Sequence, residues 1–312
     1  MARNIFANIT ARGVKSQFNE KFEAAPQVWK NYCQEIPSES KDEEYAWAGM
    51  VPSPREYVSG RNLVGINDFT YNIKNKEFEL SAIIDQTSLE DDKNGEWNTK
   101  ISNMAEVWAD FHDWTFCQLL ENGATAGYTT FTGSVFFSDT GTAIGASGAI
   151  DNNTTTTEAT ANYITAAEMR VGVSLQRALL TAMADDTGRV GYNGTGPMSK
   201  LRLAVPPCDA IAATELANST AITIGADGNA FFKGLYEIDE LPHHTFATRN
   251  TYLAAVGAER KPFIYQPRTA LQVEVLNDAA SVALHHGVMV LTRQRFRMWY
   301  GDPRRMIRCV WT

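Results

Sequence analysis

The sequence predicts an α+β protein built around one long helix, with strands and an arm that project from it. Three observations lead there. Trp97, Ile101, Met104, Trp108, Phe111 and Thr115 recur at helical spacing. Residues 69–84, "FTYNIKNKEFELSAII", alternate apolar and polar as strands do. No catalytic motif interrupts either pattern.

The long helix is expected over residues 95–121. Its apolar positions form a single stripe. Asp91, Asp92 and Glu96 favour its positive N-terminal end, and Gly123 is a plausible stop. At 1.5 Å per residue the rod is roughly 35–40 Å long. A second helix is expected after Thr165, which forms an S/T-x-x-E capping box with Glu168. Met169, Val173, Gln176, Leu179, Leu180 and Met183 give it an apolar face.

The strand signals are shorter. Phe69, Tyr71 and Ile73 share one face, and Phe78, Leu80 and Ala82 share another after "KNKE", which reads as a long projecting hairpin. A short strand is expected at "SVFF" within the Gly/Thr/Ser/Asn-rich residues 124–162. Leu201 to Val205 reads as a strand ending at Pro206-Pro207, before an alanine-rich helix. Strand-like pieces continue to Val275, and two more strands flank Gly301-Asp302-Pro303. Residues 1–44, with Phe18, Phe22, Trp29 and Tyr32, read as an arm with short helical pieces that needs a surface to lie on.

Composition narrows the classes. The 312 residues carry a formal charge of −8, which disfavours a free-standing duplex binder but suits a wall that encloses nucleic acid. Apolar residues at 44% are enough for a real core. The start, "MARNIFANITARG", lacks the apolar run of a secretory signal, and no window has the length of a membrane span. Cys33, Cys117, Cys208 and Cys309 form no C-x-x-C and read as reduced thiols. The Asn8, Asn153, Asn193 and Asn218 sequons then carry no meaning.

Candidate chemistry is sparse. His243-His244 and His285-His286 are adjacent pairs, which on a strand point to opposite faces and rarely share a metal ion. "GTAIGASG" lacks the Lys-Ser/Thr of a phosphate cradle. There is no G-x-S-x-G. The pairs Glu43-Glu44, Asp91-Asp92, Asp185-Asp186 and Asp239-Glu240 read as solvated caps and ion-pair partners. Among the C-terminal arginines, Arg293, Arg295 and Arg297 share a strand face opposite Phe296 and Met298. In an acidic chain, carboxylates of another subunit are favoured over DNA as their partners. Arg304, Arg305 and Arg308 follow. Large protruding elements without a catalytic constellation point to assembly.

Six segments, in order, carry a resemblance. They are "YAWAGMVPSPREYVSGR", "YNIKNKEFELSAIID" with the acidic "LEDDKNG", and "TGSVFFSDTG". Then come "MADDTGRVGYNGTGPMSKLRLAVPPCDAIAATELANS", "GNAFFKGLYEI" with "TYLAA" and "KPFIYQPR", and "RFRMWYGDPRRMIRCVW". The chain resembles the Mu-like prophage major head subunit family, capsid proteins with the Hong Kong 97-type fold. The resemblance implies an N-terminal arm at residues 1–45 and an E-loop hairpin at 46–84. It implies a peripheral domain at 85–196 and 283–312, with the spine helix at 95–121, and an axial domain at 197–282. It implies a major capsid protein, not an enzyme, that forms pentamers and hexamers of itself without a cofactor or metal. Its partners would be a separate scaffold or protease, a portal and decoration proteins, around double-stranded DNA. Trp29, Tyr45, Trp47, Tyr57, Arg61, Phe69, Tyr71, Arg295 and Arg297 are the expected inter-subunit contacts. The segment after Phe136-Phe137 departs from the family in lacking a histidine, and no coiled coil precedes the arm. An encapsulin-like protein compartment, a tail or baseplate protein, and an enzyme with an unrecognised pocket are the alternatives.

Overall fold

The computed structural model describes residues 11–40, 42–48, 68–85, 96–144, 147–158, 164–184, 188, 190, 200–218, 234–244, 249–257, 260–276 and 286–312. Its helices are α1 (Ala11–Ala24), α2 (Trp29–Tyr32), α3 (Glu96–Asn122), α4 (Ala166–Ala182) and α5 (Ala210–Asn218). Its strands are β1 (Cys33–Glu35), β2 (Asp42–Ala48), β3 (Asp68–Lys74), β4 (Lys76–Asp85), β5 (Asn153–Thr156) and β6 (Leu201–Val205). They continue as β7 (Tyr236–Glu240), β8 (Asn250–Ala255), β9 (Phe263–Leu276), β10 (Gly287–Tyr300) and β11 (Met306–Trp311).

The 27 residues of α3 contain no Gly or Pro, so its hydrogen-bond ladder runs unbroken for about 40 Å. Ile101, Met104, Ala105, Trp108, Phe116, Cys117 and Leu120 are buried along it. The helix stops where expected, but not because Gly123 takes a left-handed conformation. A Cβ there would lie 2.6 Å from the Phe137 ring, so the glycine makes room for that packing.

Two cores divide the structure. The first holds α3 with α1, α2 and a four-stranded sheet of order β1-β9-β10-β4. The second holds α4 and α5 on one face of a five-stranded sheet of order β5-β11-β8-β6-β7. Alternation assigns that sheet's faces. Leu253, Ala255, Ile307 and Cys309 belong to the second core, while Tyr252, Ala254 and Met306 join the first.

This partition differs from the expected one. α4 and β11, expected with the long helix, lie in the second core, while β9, expected with the second unit, pairs with β10 in the first sheet. The strands around Gly301-Asp302-Pro303 are present but part company, β10 into one sheet and β11 into the other. The buried pair of Asp302 and Arg304 (3.0 Å) fixes that crossing. α4 carries the expected capping box of Thr165 and Glu168. Gln176, buried in its apolar face, donates to the Thr251 and Ile307 carbonyls at 2.8 and 3.1 Å. No strand forms at "SVFF"; Val135 makes one isolated bridge with Thr129, and Phe136 and Phe137 are buried.

The arm and hairpin also need correction. α1 lies along α3 of its own chain with Val14 and Phe18 buried, so residues 11–35 belong to the first core. β4 does not pair with β3. It runs antiparallel to β10 from Lys76↔Phe296 to Asp85↔Gly287, with Phe78, Leu80, Ala82 and Ile84 turned inward. The two-stranded ribbon is β2 with β3, and its connection, residues 49–67, lies outside the described residues.

Candidate assembly surfaces

The ribbon is tied to the body at one polar knot. Asn75, the single residue between β3 and β4, is buried. Gln266 on β9 donates to its Oδ1 at 2.9 Å, and Asn75 Nδ2 donates to Ser38 Oγ at 2.8 Å. Glu43 on β2 accepts the N–H groups of Glu39 and Ser40 at 2.6 and 2.7 Å. Those two backbone bonds, with that from Ser38, hold its carboxyl below the usual range. Tyr71 on β3 donates to the Thr129 carbonyl at 2.8 Å. The ribbon thus leaves the first sheet from a fixed base.

Within the ribbon, Tyr45 faces Tyr71 and Trp47 faces Phe69 in the backbone register, so these four expected contact residues fall on directly paired positions. Tyr57 and Arg61 lie outside the described residues. Trp29 is a correction. Only 5% exposed, it packs between His112 and Tyr265, with ring centroids 5.6 and 4.4 Å away, so little of it is left for a neighbour.

The β10 arginines separate by environment. Arg293 and Arg295 meet Glu77 of their own chain at 2.7 and 3.9 Å. Arg297 lies 4.2 Å over the Trp299 ring, a cation–π contact, and burial lowers its pKa. Arg304 is consumed by Asp302, and Arg308 donates to Asn153 at 2.8 Å over the Phe137 ring.

Several of the polar residues weighed for chemistry are occupied as structure, while Asp91, Asp92, Asp185, Asp186 and His285 lie outside the described residues. His243 pairs with Asp110 at 2.6 Å, while His244 reaches the Tyr252 hydroxyl at 3.1 Å. Asp239 takes both oxygens' bonds from Arg202 at 2.8 Å and one from Tyr32 at 2.8 Å. Cys33, Cys117 and Cys309 are buried free thiols, and burial pushes Cys117 and Cys309 up to about 12. Among the described residues no group of three His, Cys, Asp or Glu is placed to hold a metal ion, and no helix is long and apolar enough to cross a membrane.

Some contacts had no sequence signal. Asp113 on α3 accepts the N–H groups of Trp29 and Val28 at 2.9 and 3.3 Å and so pins the α1–α2 turn. Arg249 bonds Asp209 at 2.6 Å and also Glu158, linking the start of α5 to the segment beyond β5. Each joins residues far apart in the chain, and no local pattern marks them.

A spine helix over a sheet, a second helix-covered sheet and a two-stranded ribbon define the Hong Kong 97-type capsid fold. Solved capsids share it. The bacteriophage JBD30 procapsid protein superposes with a TM-score of 0.52 at 17% identity, over 96% of this chain and 74% of that one. The bacteriophage PhiM1 mature capsid gives 0.56 at 10% identity, over 92% and 87%. A virus-like particle from Pyrococcus furiosus gives 0.54 at 8% identity, over 96% and 98%. The family model of the Mu-like prophage major head subunit gpT matches residues 8–171, just over half of the chain. The chain belongs to that family. It is 28% identical over 177 residues to the Mu-like prophage FluMu major head subunit of Haemophilus influenzae, covering 51% of this chain and 56% of that one. It is 27% identical over 111 residues to the major capsid protein of Escherichia phage Mu, covering 36% of each. The chain thus spans about half or less of the length of these curated relatives.

Proposed function

We propose that this chain is a major head subunit that builds pentamers and hexamers, which close into an icosahedral shell around a double-stranded DNA phage genome. The observation that carries the reading is the β2–β3 ribbon, which leaves the first sheet from the Asn75–Gln266 knot. Tyr45, Trp47, Phe69 and Tyr71 lie on it and Tyr57 and Arg61 in its connection; these are the residues that meet neighbours. Arg295 and Arg297 border its base and extend that contact. The first core acts as the peripheral domain and the second as the axial domain around five- and six-fold axes. Many modest interfaces then act together in place of one strong pair. A separate scaffold or protease, a portal and decoration proteins complete the head, in the host cytoplasm and then in the virion. The family is a structural one, and the subunit's work is assembly, not catalysis.

The test is to express the chain with the neighbouring head-assembly genes and fractionate by sedimentation. Fast-sedimenting particles that protect DNA from nuclease are expected. Particles carrying only a protein cargo would mean a compartment shell instead. A small oligomer despite those partners would overturn the reading.

A further inference from the structure

α4 leaves one side uncovered. Met169, Val173, Gln176 and Leu180 are buried, while an outer stripe runs through Val171, Leu175, Ala178 and Ala182 at +4, +3, +4 spacing. Val171 is 51% and Leu175 41% exposed. Arg170 and Arg177 flank the stripe at half-buried positions.

A complementary surface lies away from α4, where the first core meets the end of β7. Between the α1–α2 turn, α3 and the end of β7 opens a groove of about 750 Å³. Its floor is apolar, with Pro26, Val28 and Val107, the last 54% exposed. Its rim is acidic, with Glu106, Asp110 and Glu240. Apolar meets apolar and arginine meets carboxylate when the stripe is set against the groove, the helix-in-groove mode.

The two surfaces lie on different elements of one chain. α4 packs over β5, β11 and β8, and the groove opens at β7, the far edge of the order β5-β11-β8-β6-β7. From β8, the nearest strand that α4 covers, to β7 is two strand spacings, roughly 10 Å. Two different, complementary patches at separate places on one subunit make a head-to-tail contact, the kind that generates rings.

We infer that the outer stripe of α4 docks in the acidic, apolar-floored groove of the next copy around a ring. The inference rests on the shell reading and names a partner surface for it. Asp110 is bridged to His243, so Glu106 and Glu240 are the carboxylates that meet Arg170 of the neighbour.

The test is a cross-link. A chain carrying Cys208→Ser, Val107→Cys and Leu175→Cys removes the exposed thiol and leaves the three buried ones. It is assembled with the head proteins, imaged, oxidised and run on a non-reducing gel. A ladder rising to pentamers and hexamers is expected, with single-cysteine controls running as monomers. Normal particles without a ladder would overturn the docking and leave the shell reading standing. Absence of particles from the unmodified chain would overturn both. Val171→Asp with Leu175→Asp supplies a check without oxidation. Both positions are exposed, so the subunit's circular dichroism and melting should be unchanged while particle yield falls roughly tenfold or more. Unchanged yield would overturn the docking.

Discussion

Gln266 on β9 donates to Asn75 at 2.9 Å, and through that bond the ribbon's base is locked to the first sheet. Asn75 is buried and also serves Ser38 and the Ser40 carbonyl, so its amide has no solvent to fall back on. Replacing Asn75 by Ala removes Gln266's shorter bond and leaves its 3.3 Å bond to the Ile73 carbonyl, and each buried hydrogen bond lost costs about 0.5–1.5 kcal/mol. Hydrogen exchange should therefore accelerate in β2 and β3 and stay slow in α3. Unchanged exchange in the ribbon would remove the knot from the account of how it is held.

The ribbon and the body answer differently to deletion. β4 is part of the four-stranded sheet, so removing residues 76–85 should unfold the subunit. Replacing residues 49–67 with a short turn should leave melting of the subunit unchanged and block shell closure. Normal shells from that variant, seen by negative-stain microscopy, would sink the role given to the ribbon.

Trp29 should behave as a core residue. Packed on His112 and Tyr265, its truncation to Ala is expected to cost about 3–5 kcal/mol of subunit stability. Urea denaturation of the unassembled chain reads this directly. A change below 1 kcal/mol, with assembly alone affected, would return Trp29 to the surface.

His112 ties stability to pH. It is buried, donates from Nδ1 to the Trp108 carbonyl at 2.7 Å and stacks on Phe296. Burial lowers its pKa from 6.5 to about 4, so the folded state holds it neutral. The unfolded chain binds the proton first as pH falls. Stability from this group is complete above pH 6.5 and is lost progressively toward pH 4. The loss is about 3 kcal/mol per subunit. His112→Gln should flatten that part of the urea-midpoint profile; identical slopes would exclude His112 as the source.

What was legible in the sequence follows from the range of each interaction. The long helix, the capping box of Thr165 and Glu168, and the inward face of Phe78, Leu80 and Ala82 are written in short periodic patterns, and each is present. Strand partners are set by contacts across the chain. Alternation therefore marked residues 69–84 as strand but did not reveal that β3 joins β2 while β4 joins β10. The same limit hid the grouping of α4 with β11, where Gly172 lets the Trp311 ring come within 2.6 Å of a would-be Cβ. Aromatic density marks Trp29 as a contact residue, but density alone does not separate a core residue from an interface residue. The expectation for Arg295 is a carboxylate of another subunit, whereas in the folded subunit Glu77 of its own chain lies 3.9 Å away.

The central claim is that this fold closes into a shell. The most direct measurement is cryo-electron microscopy of the chain expressed with its scaffold and portal. Icosahedral particles with five- and six-membered rings, and density for residues 42–74 lying across an adjacent subunit, are the expected result. Monomers or small oligomers in the presence of those partners, or shells in which that segment stays on its own subunit, would contradict it.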